Sequence, residues 1–145
     1  MLDIRNAATD EEVLRCFAVL SQLRPHLVAG EFLPRIRRMQ GEGFLLARVE
    51  EDGEVRAVAG YRYMDLLFSG RTLYVDDLVT DTTQRSRGHG AAMLGWLREQ
   101  ARANGCTTLT LDSGVQRTEA HRFYFRERMS INSYHFSLAL DPPSA

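Results

Sequence analysis

The chain has 145 residues, 44% of them hydrophobic and 26% charged, the balance of a soluble globular protein with one domain over 1–145. A net charge of −1 gives no global attraction to nucleic acid or to a membrane surface, so any anion site has to be local. No apolar run reaches the about 18 residues of a transmembrane helix, and the opening MLDIRNAATDEE lacks a signal-peptide core, which points to a cytoplasmic protein.

In chain order, residues 2–5 alternate and predict a short first strand. Thr9-Asp10-Glu11-Glu12 fits a capping box, with Thr9 as N-cap. The helix it opens carries Val13, Phe17 and Leu20 on one face. A shorter helix is predicted over 31–40 from the spacing of Phe32, Ile36 and Met39, with Pro34 tolerable only in its first turn. Residues 44–49 read as a strand, Glu51-Asp52-Gly53-Glu54 as a hairpin turn with the Asp-Gly signal, and 55–64 as the return strand. Phe68-Ser69-Gly70-Arg71 turns the chain into a strand over 72–80. A basic, glycine-rich loop then opens a helix over 88–103, whose apolar face is Met93, Leu94, Leu97 and Ala101 and which Asn104-Gly105 ends. A strand over 106–111, a turn at Asp112-Ser113-Gly114, a helix over 119–128 and a last strand over 131–140 follow, before a loose tail over 141–145. A meander followed by a βαβ unit makes an α/β (α+β) chain with a mixed, mostly antiparallel central sheet flanked by helices.

Cys16 and Cys106 stand far apart with no CxxC, so both thiols read as reduced core residues. Four scattered histidines form no ligand pair, and no metal is expected. The loop Arg85-Ser86-Arg87-Gly88-His89-Gly90 is different. It is poor core material between two well-patterned segments. Gly88 and Gly90 lack a Cβ and admit close approach of a ligand to the backbone. The helix start that follows offers unpaired N–H groups and the positive end of a dipole. Arg85 and Arg87 add forked donors suited to phosphate. The plainest functional reading is a phosphate or pyrophosphate cradle, and the bland alternative is a solvated connection. The Walker pattern GxxxxGK(S/T) is absent. The dinucleotide fingerprint GxGxxG fails at its third glycine, which is Met93.

Here the sequence resembles the GNAT family of N-acetyltransferases. The family's central motif is a strand, a loop of form Q/R-x-x-G-x-G/A and a helix. This chain has Tyr74-Val75-Asp76-Asp77-Leu78-Val79, similar to the family's Y-I/V-E-D-L-V, then Arg85 to Gly90, then Ala91-Ala92-Met93-Leu94. Ala120-His121-Arg122-Phe123-Tyr124 is similar to the family's A-x-x-F-Y helix, and the element order agrees. Departures are Ser86 and His89 in the loop, Arg117 where many members have Asn, and Arg128-Met129 in place of Gly-Phe.

The resemblance implies the GNAT acyl-CoA acyltransferase fold and acetyl-CoA as co-substrate. The pyrophosphate would sit on the amides of Arg85, Ser86, Arg87, Gly88, His89, Gly90 and Ala91. The pantetheine arm would pair like an extra strand with Leu78, Val79 and Thr80, with one amide, Val79 by preference, polarising the thioester carbonyl. An amine of pKa about 10 is mostly protonated at neutral pH and needs a base. Alternation places Asp76 and Asp77 on opposite faces. The family's acidic position corresponds to Asp76, acting through a water; a surface or hydrogen-bonded Asp is the alternative. Tyr124 is the candidate acid toward the leaving thiolate, against an aromatic core role beside Phe123. His121 and His89 read more plainly as helix-surface and loop residues. Ser113 is a weak contact to the arm. Arg117, Arg122, Arg126 and Arg128 form a solvated face or meet the adenosine 3′-phosphate.

Two functions stand at this point. One is direct transfer of acetyl from the thioester to a primary amine. The other is an acyl-CoA-binding sensory or interaction module with little catalysis. A longer-chain acyl donor is a third reading. The acceptor is a small-molecule amine or a peptide N-terminus or lysine, with Arg24, His26, Glu31, Arg35, Arg37, Arg38 and Asp65 in the elements that would shape its site. Nucleic acid and membrane are not expected partners, and a homodimer through the C-terminal strand is compatible with the family.

Overall fold

The computed structural model describes residues 1–142; the last three residues of the tail lie outside the described residues. The chain gathers into two compact units, Met1–Leu111 and a second that begins at Asp112.

The first unit runs β1 (Asp3–Asn6), α1 (Asp10–Leu14), α2 (Phe17–Leu23), α3 (Ala29–Gln40), β2 (Leu45–Glu51), β3 (Glu54–Leu66), β4 (Gly70–Thr80), a 3₁₀ turn (Thr82–Gln84), α4 (His89–Ala103) and β5 (Thr108–Leu111). The five strands lie in sequence order in one sheet, antiparallel except for the parallel β4–β5 pair. The crossover through α4 is what a parallel pair requires. The β2–β3 hairpin is two-residue, Glu51 facing Glu54, with Asp52 and Gly53 both at positive φ (54° and 75°). That is the turn the Asp-Gly signal favours.

The capping box forms as read: Glu12 N–H donates to Thr9 Oγ1 at 3.1 Å, and Thr9 N–H donates to Glu12 Oε1 at 3.0 Å. The single helix expected after it is two, broken at Arg15 and Cys16. The break re-phases the apolar face, so that Val13, Cys16, Val19 and Leu20 all bury against Phe32, Ile36, Phe44, Leu46 and Val58. α3 starts at Ala29, two residues before the expected 31, and Pro34 therefore lies in its second turn. The bond Pro34 cannot donate leaves the Gly30 carbonyl on an exposed turn, where water can serve it. On the opposite sheet face α4 buries Met93, Leu94, Leu97 and Ala101, and Trp96 meets Tyr61 edge-to-face at 6.1 Å.

Arg48 ties β1, β2 and α1. Only 1% exposed, it donates to Glu12 Oε2 at 2.9 Å, to Glu50 Oε1 at 3.2 Å and to the Arg5 and Asn6 carbonyls. Cys16, fully buried, donates its thiol to the Glu12 carbonyl at 3.4 Å, and burial pushes the thiol up to about 12.

The second unit is built on α5 (Thr118–Arg126). His121 Nε2 donates to the Gly114 carbonyl at 2.8 Å. Arg128, where the family pattern has Gly, takes a left-handed φ of 67° just past the helix. The last strand expected over 131–140 is not present among the described residues. Its alternation is real, yet a strand needs a ladder partner for its backbone, and none is formed. Tyr134, Phe136, Leu138 and Leu140 are 83–91% exposed.

Candidate active site

β4 departs from regular pleating where Asp76 lies. Gly60 of β3 faces Asp77, and the next residue, Tyr61, faces Val75, so Asp76 is the extra residue of a β-bulge. The bulge undoes the simple alternation expected for the two aspartates. Asp76 accepts from Arg62 Nε at 3.0 Å and from its Nη2 at 2.6 Å. That guanidinium lies 5.5 Å from the Phe44 ring centroid. Asp77 Oδ1 accepts from Arg24 Nε at 2.7 Å, and a Cβ on Gly60 would meet both the Phe44 ring and Asp77 Oδ2. Both carboxylates therefore stand on the Phe44 side of the sheet, under α2 and α3, rather than on opposite faces. Arg62 was not singled out in the sequence, because its pairing depends on a register that residue types do not give.

Past the bulge, β4 has one open edge. β5 pairs only with Thr72 to Val75, while Asp77 to Thr80 pair with β3 alone. The amide directions follow from one bond beyond the strand, Asp81 N–H to the Arg56 carbonyl at 2.8 Å. Antiparallel pairing repeats every second residue, so Val79 N–H points to β3, and Leu78 and Thr80 N–H face the open edge. This redirects the choice among the three candidates away from Val79.

The edge leads into the Arg-Gly loop. Asp81 Oδ1 caps the short 3₁₀ turn by accepting from Thr83 N–H at 3.1 Å. Ser86 and Gly88 take positive φ of 66° and 81°, and Arg85, Ser86, Arg87 and Gly88 are exposed. The first intrahelical bond of α4 runs from Ala92 N–H to the Gly88 carbonyl at 2.9 Å. The amides of His89, Gly90 and Ala91 precede it and have no acceptor within the helix. No Cβ obstruction lies within 4 Å of Gly88. Among the described residues neither Arg85 nor Arg87 is ion-paired. This loop, with free amides, uncompensated guanidinium groups and a helix start, fits the pyrophosphate of a coenzyme, and the open β4 edge fits its amide-bearing arm.

His89 is not a surface loop residue. It is 1% exposed, neither ring nitrogen has a hydrogen-bond partner among the described residues, and Nε2 lies 3.6 Å from Glu51 Oε1. The signal was present in the sequence: His89 precedes Met93 and Leu97 by four and eight residues, on the helix's buried stripe.

Under α2 and α3 a cleft of about 220 Å³ opens beside Asp77, lined by Leu20, Leu27, Phe32, Ile36, Met39 and Phe44 and carrying Arg24, His26 and Arg35. In the second unit Tyr124 sits edge-to-face with Phe123 at 5.4 Å. Burial raises the pKa of its phenol, against an opposing influence from Arg117.

The sequence pattern of the acetyltransferase (GNAT) family matches residues 6–129. The chain belongs to this family. The enzyme class read from the sequence, a GNAT-type acyltransferase, stands with that membership. The chain is 32% identical over 138 residues to the uncharacterized N-acetyltransferase YhdJ of Bacillus subtilis, covering 94% of this chain and 97% of that one. It is 33% identical over 66 residues to an aminoalkylphosphonate N-acetyltransferase of Salmonella typhimurium, covering 46% and 43% of the two chains. In fold it matches an aminoglycoside N-acetyltransferase solved with CoA, at a TM-score of 0.85 and 14% identity over 97% of this chain and 95% of the other. Among the described residues of this GNAT chain, no helix is long and apolar enough to cross a membrane, and no three His, Cys, Asp or Glu stand close enough to hold a metal ion.

Proposed function

We propose that this GNAT protein transfers acetyl from acetyl-CoA directly to a primary amine. The observation that carries the reading is the open β4 edge running into a loop whose helix-start amides and two arginines have no partner among the described residues. Acetyl-CoA, when bound, supplies the activated acetyl thioester. The amides of the 85–91 loop hold its pyrophosphate, and Leu78 and Thr80 N–H hold its arm and polarise the carbonyl. The apolar side chains of the cleft would pack against the acceptor's hydrocarbon.

The acceptor's proton goes to the acidic pair on the bulge. Asp76 is the residue the family pattern nominates. Both its oxygens accept from Arg62, so it acts through a water on the remaining lone pairs. A specific observation favours Asp77 as the carboxylate that meets the ammonium: it lines the cleft, and the only hydrogen bond drawn to it among the described residues falls on Oδ1. Tyr124 is assigned the return of a proton to the departing thiolate. Its raised pKa keeps the phenol protonated across the neutral range. Replacing Tyr124 with Phe is expected to lower kcat about 100-fold, within the usual span for a general acid. The alkaline limb of kcat, above pH 10 in the wild type, should vanish with it.

The testing experiment is calorimetric titration of acetyl-CoA into wild type and Gly88→Glu, followed by an amine screen. Micromolar binding lost in a folded Gly88→Glu variant supports the coenzyme site, since the added carboxylate repels the pyrophosphate. Binding without turnover of any amine supports the acyl-CoA-binding module instead. No binding in the wild type overturns both.

A further inference from the structure

The cleft beside Asp77 holds more positive charge than an amine site alone would use. We infer that the acceptor is a small primary amine that itself carries an anion, a carboxylate or a phosphonate, with its ammonium at Asp77 and its anion at Arg35 and His26. The inference rests on the transferase reading above and narrows it to a substrate class.

Three of the nearby guanidinium groups are already balanced. Arg24 is bonded to Asp77 at 2.7 Å, Arg62 to Asp76 at 2.6 Å, and Arg37 to Asp10. Arg35 is not: among the described residues no carboxylate lies within ion-pair distance of it, although Glu31 stands one helical turn before it. His26, on the same lining, offers ring nitrogens for a hydrogen bond to the same anion. An ammonium entering toward Asp77 therefore meets a site whose balance is positive. An anion on the same molecule cancels that repulsion and completes the unpaired guanidinium, which binds carboxylate or phosphonate through its fork.

Size points the same way. The cleft's volume of about 220 Å³ falls below the roughly 300–1,000 Å³ of drug-sized sites. A polycationic acceptor is disfavoured by both its bulk and its sign. The six apolar side chains of the lining strengthen the charge interactions they surround.

The test is steady-state kinetics with acetyl-CoA and three amines of similar length: β-alanine, aminoethylphosphonate and propylamine. At least one anionic amine should exceed propylamine by about 10-fold or more in kcat/KM. The faster of the two identifies the anion. Arg35→Ala should raise KM for the anionic amine about 10- to 100-fold and collapse its advantage toward unity, and Arg35→Lys should recover part of it. Raising salt to about 0.5 M should compress the same ratio, as it does for a partly solvated ion pair. Propylamine or spermidine turning over faster than both anionic amines overturns the inference while leaving the transferase reading intact. So does an advantage that Arg35→Ala does not change. Calorimetry of the anionic amines with CoA present separates the remaining cases. Binding that depends on Arg35 without turnover supports the acceptor class and sinks the transfer reaction. Neither binding nor turnover overturns both.

Discussion

Arg48 and Glu12 hold the start of the chain to the sheet. Removing Arg48 takes one donor from the Arg5 and Asn6 carbonyls and from Glu12 and Glu50, which keep the Thr9 amide and the Arg15 guanidinium. Arg48→Ala should destabilise the protein by about 1.5–3 kcal/mol, read from urea unfolding. Glu12 has its pKa held below the ordinary 4.5, first by the Thr9 backbone N–H and then by that of Ala8. A folded pKa below the unfolded one stabilises the protein fully above the ordinary value. That contribution drains away as pH falls through the lowered one. Glu12→Gln should therefore flatten the acid limb of the stability curve below pH 4.5 and leave the slope near neutrality unchanged. The capping box was legible in the sequence because it is local, with all its partners within four residues. Arg62 on Asp76 and Glu51 beside His89 were not, because strand pairing brings the first pair together and the packing of α4 on the sheet the second.

At the scale of elements, the β3–β4 bulge fixes the site. Gly60 lies where a Cβ would stand 2.5 Å from the Phe44 ring. Phe44 is itself only 1% exposed, and its ring can give way only toward the cleft it lines. Gly60→Ala should cost about 1–3 kcal/mol by overpacking, and Phe44→Leu in the same chain should recover part of it, both read as shifts in the urea midpoint. The five strands of the sheet, the Asp-Gly hairpin, α3 and α4 were legible from period and turn chemistry, with boundaries displaced by at most two residues. The bulge was not. Alternation read along Val75-Asp76-Asp77 counts every residue, and a bulge is a residue that should not be counted. Removing Asp76 altogether would make Val75, opposite Tyr61, and Asp77, opposite Gly60, successive residues, restoring the alternation with Asp77 still on the α2–α3 face and taking away only the carboxylate that Arg62 holds. A deletion that still folds should keep the Arg24 pair, visible as unchanged protection at the C-terminal end of α2 in hydrogen exchange.

For the whole molecule, the mixed sheet with helices on both of its faces was legible, and the fate of residues 131–140 was not. Their alternation states that one side of the segment is apolar; it does not state which edge, or whose, takes it. Tyr134 and Phe136 are 86% and 91% exposed. Brief chymotrypsin treatment should cut after one of them before it cuts anywhere in β1 to β5, followed by intact mass. Protection of both sites would mean that the segment has found a partner strand. The buried thiol on α1–α2 offers a different kind of reading. Cys16 is wholly enclosed and its thiol is pushed up to about 12, whereas Cys106 is only half-buried. A thiol-reactive dye should therefore label the native protein once, at Cys106, and the second equivalent should enter only when the first unit opens. The chain thus carries its own clock: the lag between the two labels times the unfolding of its core, with no added probe.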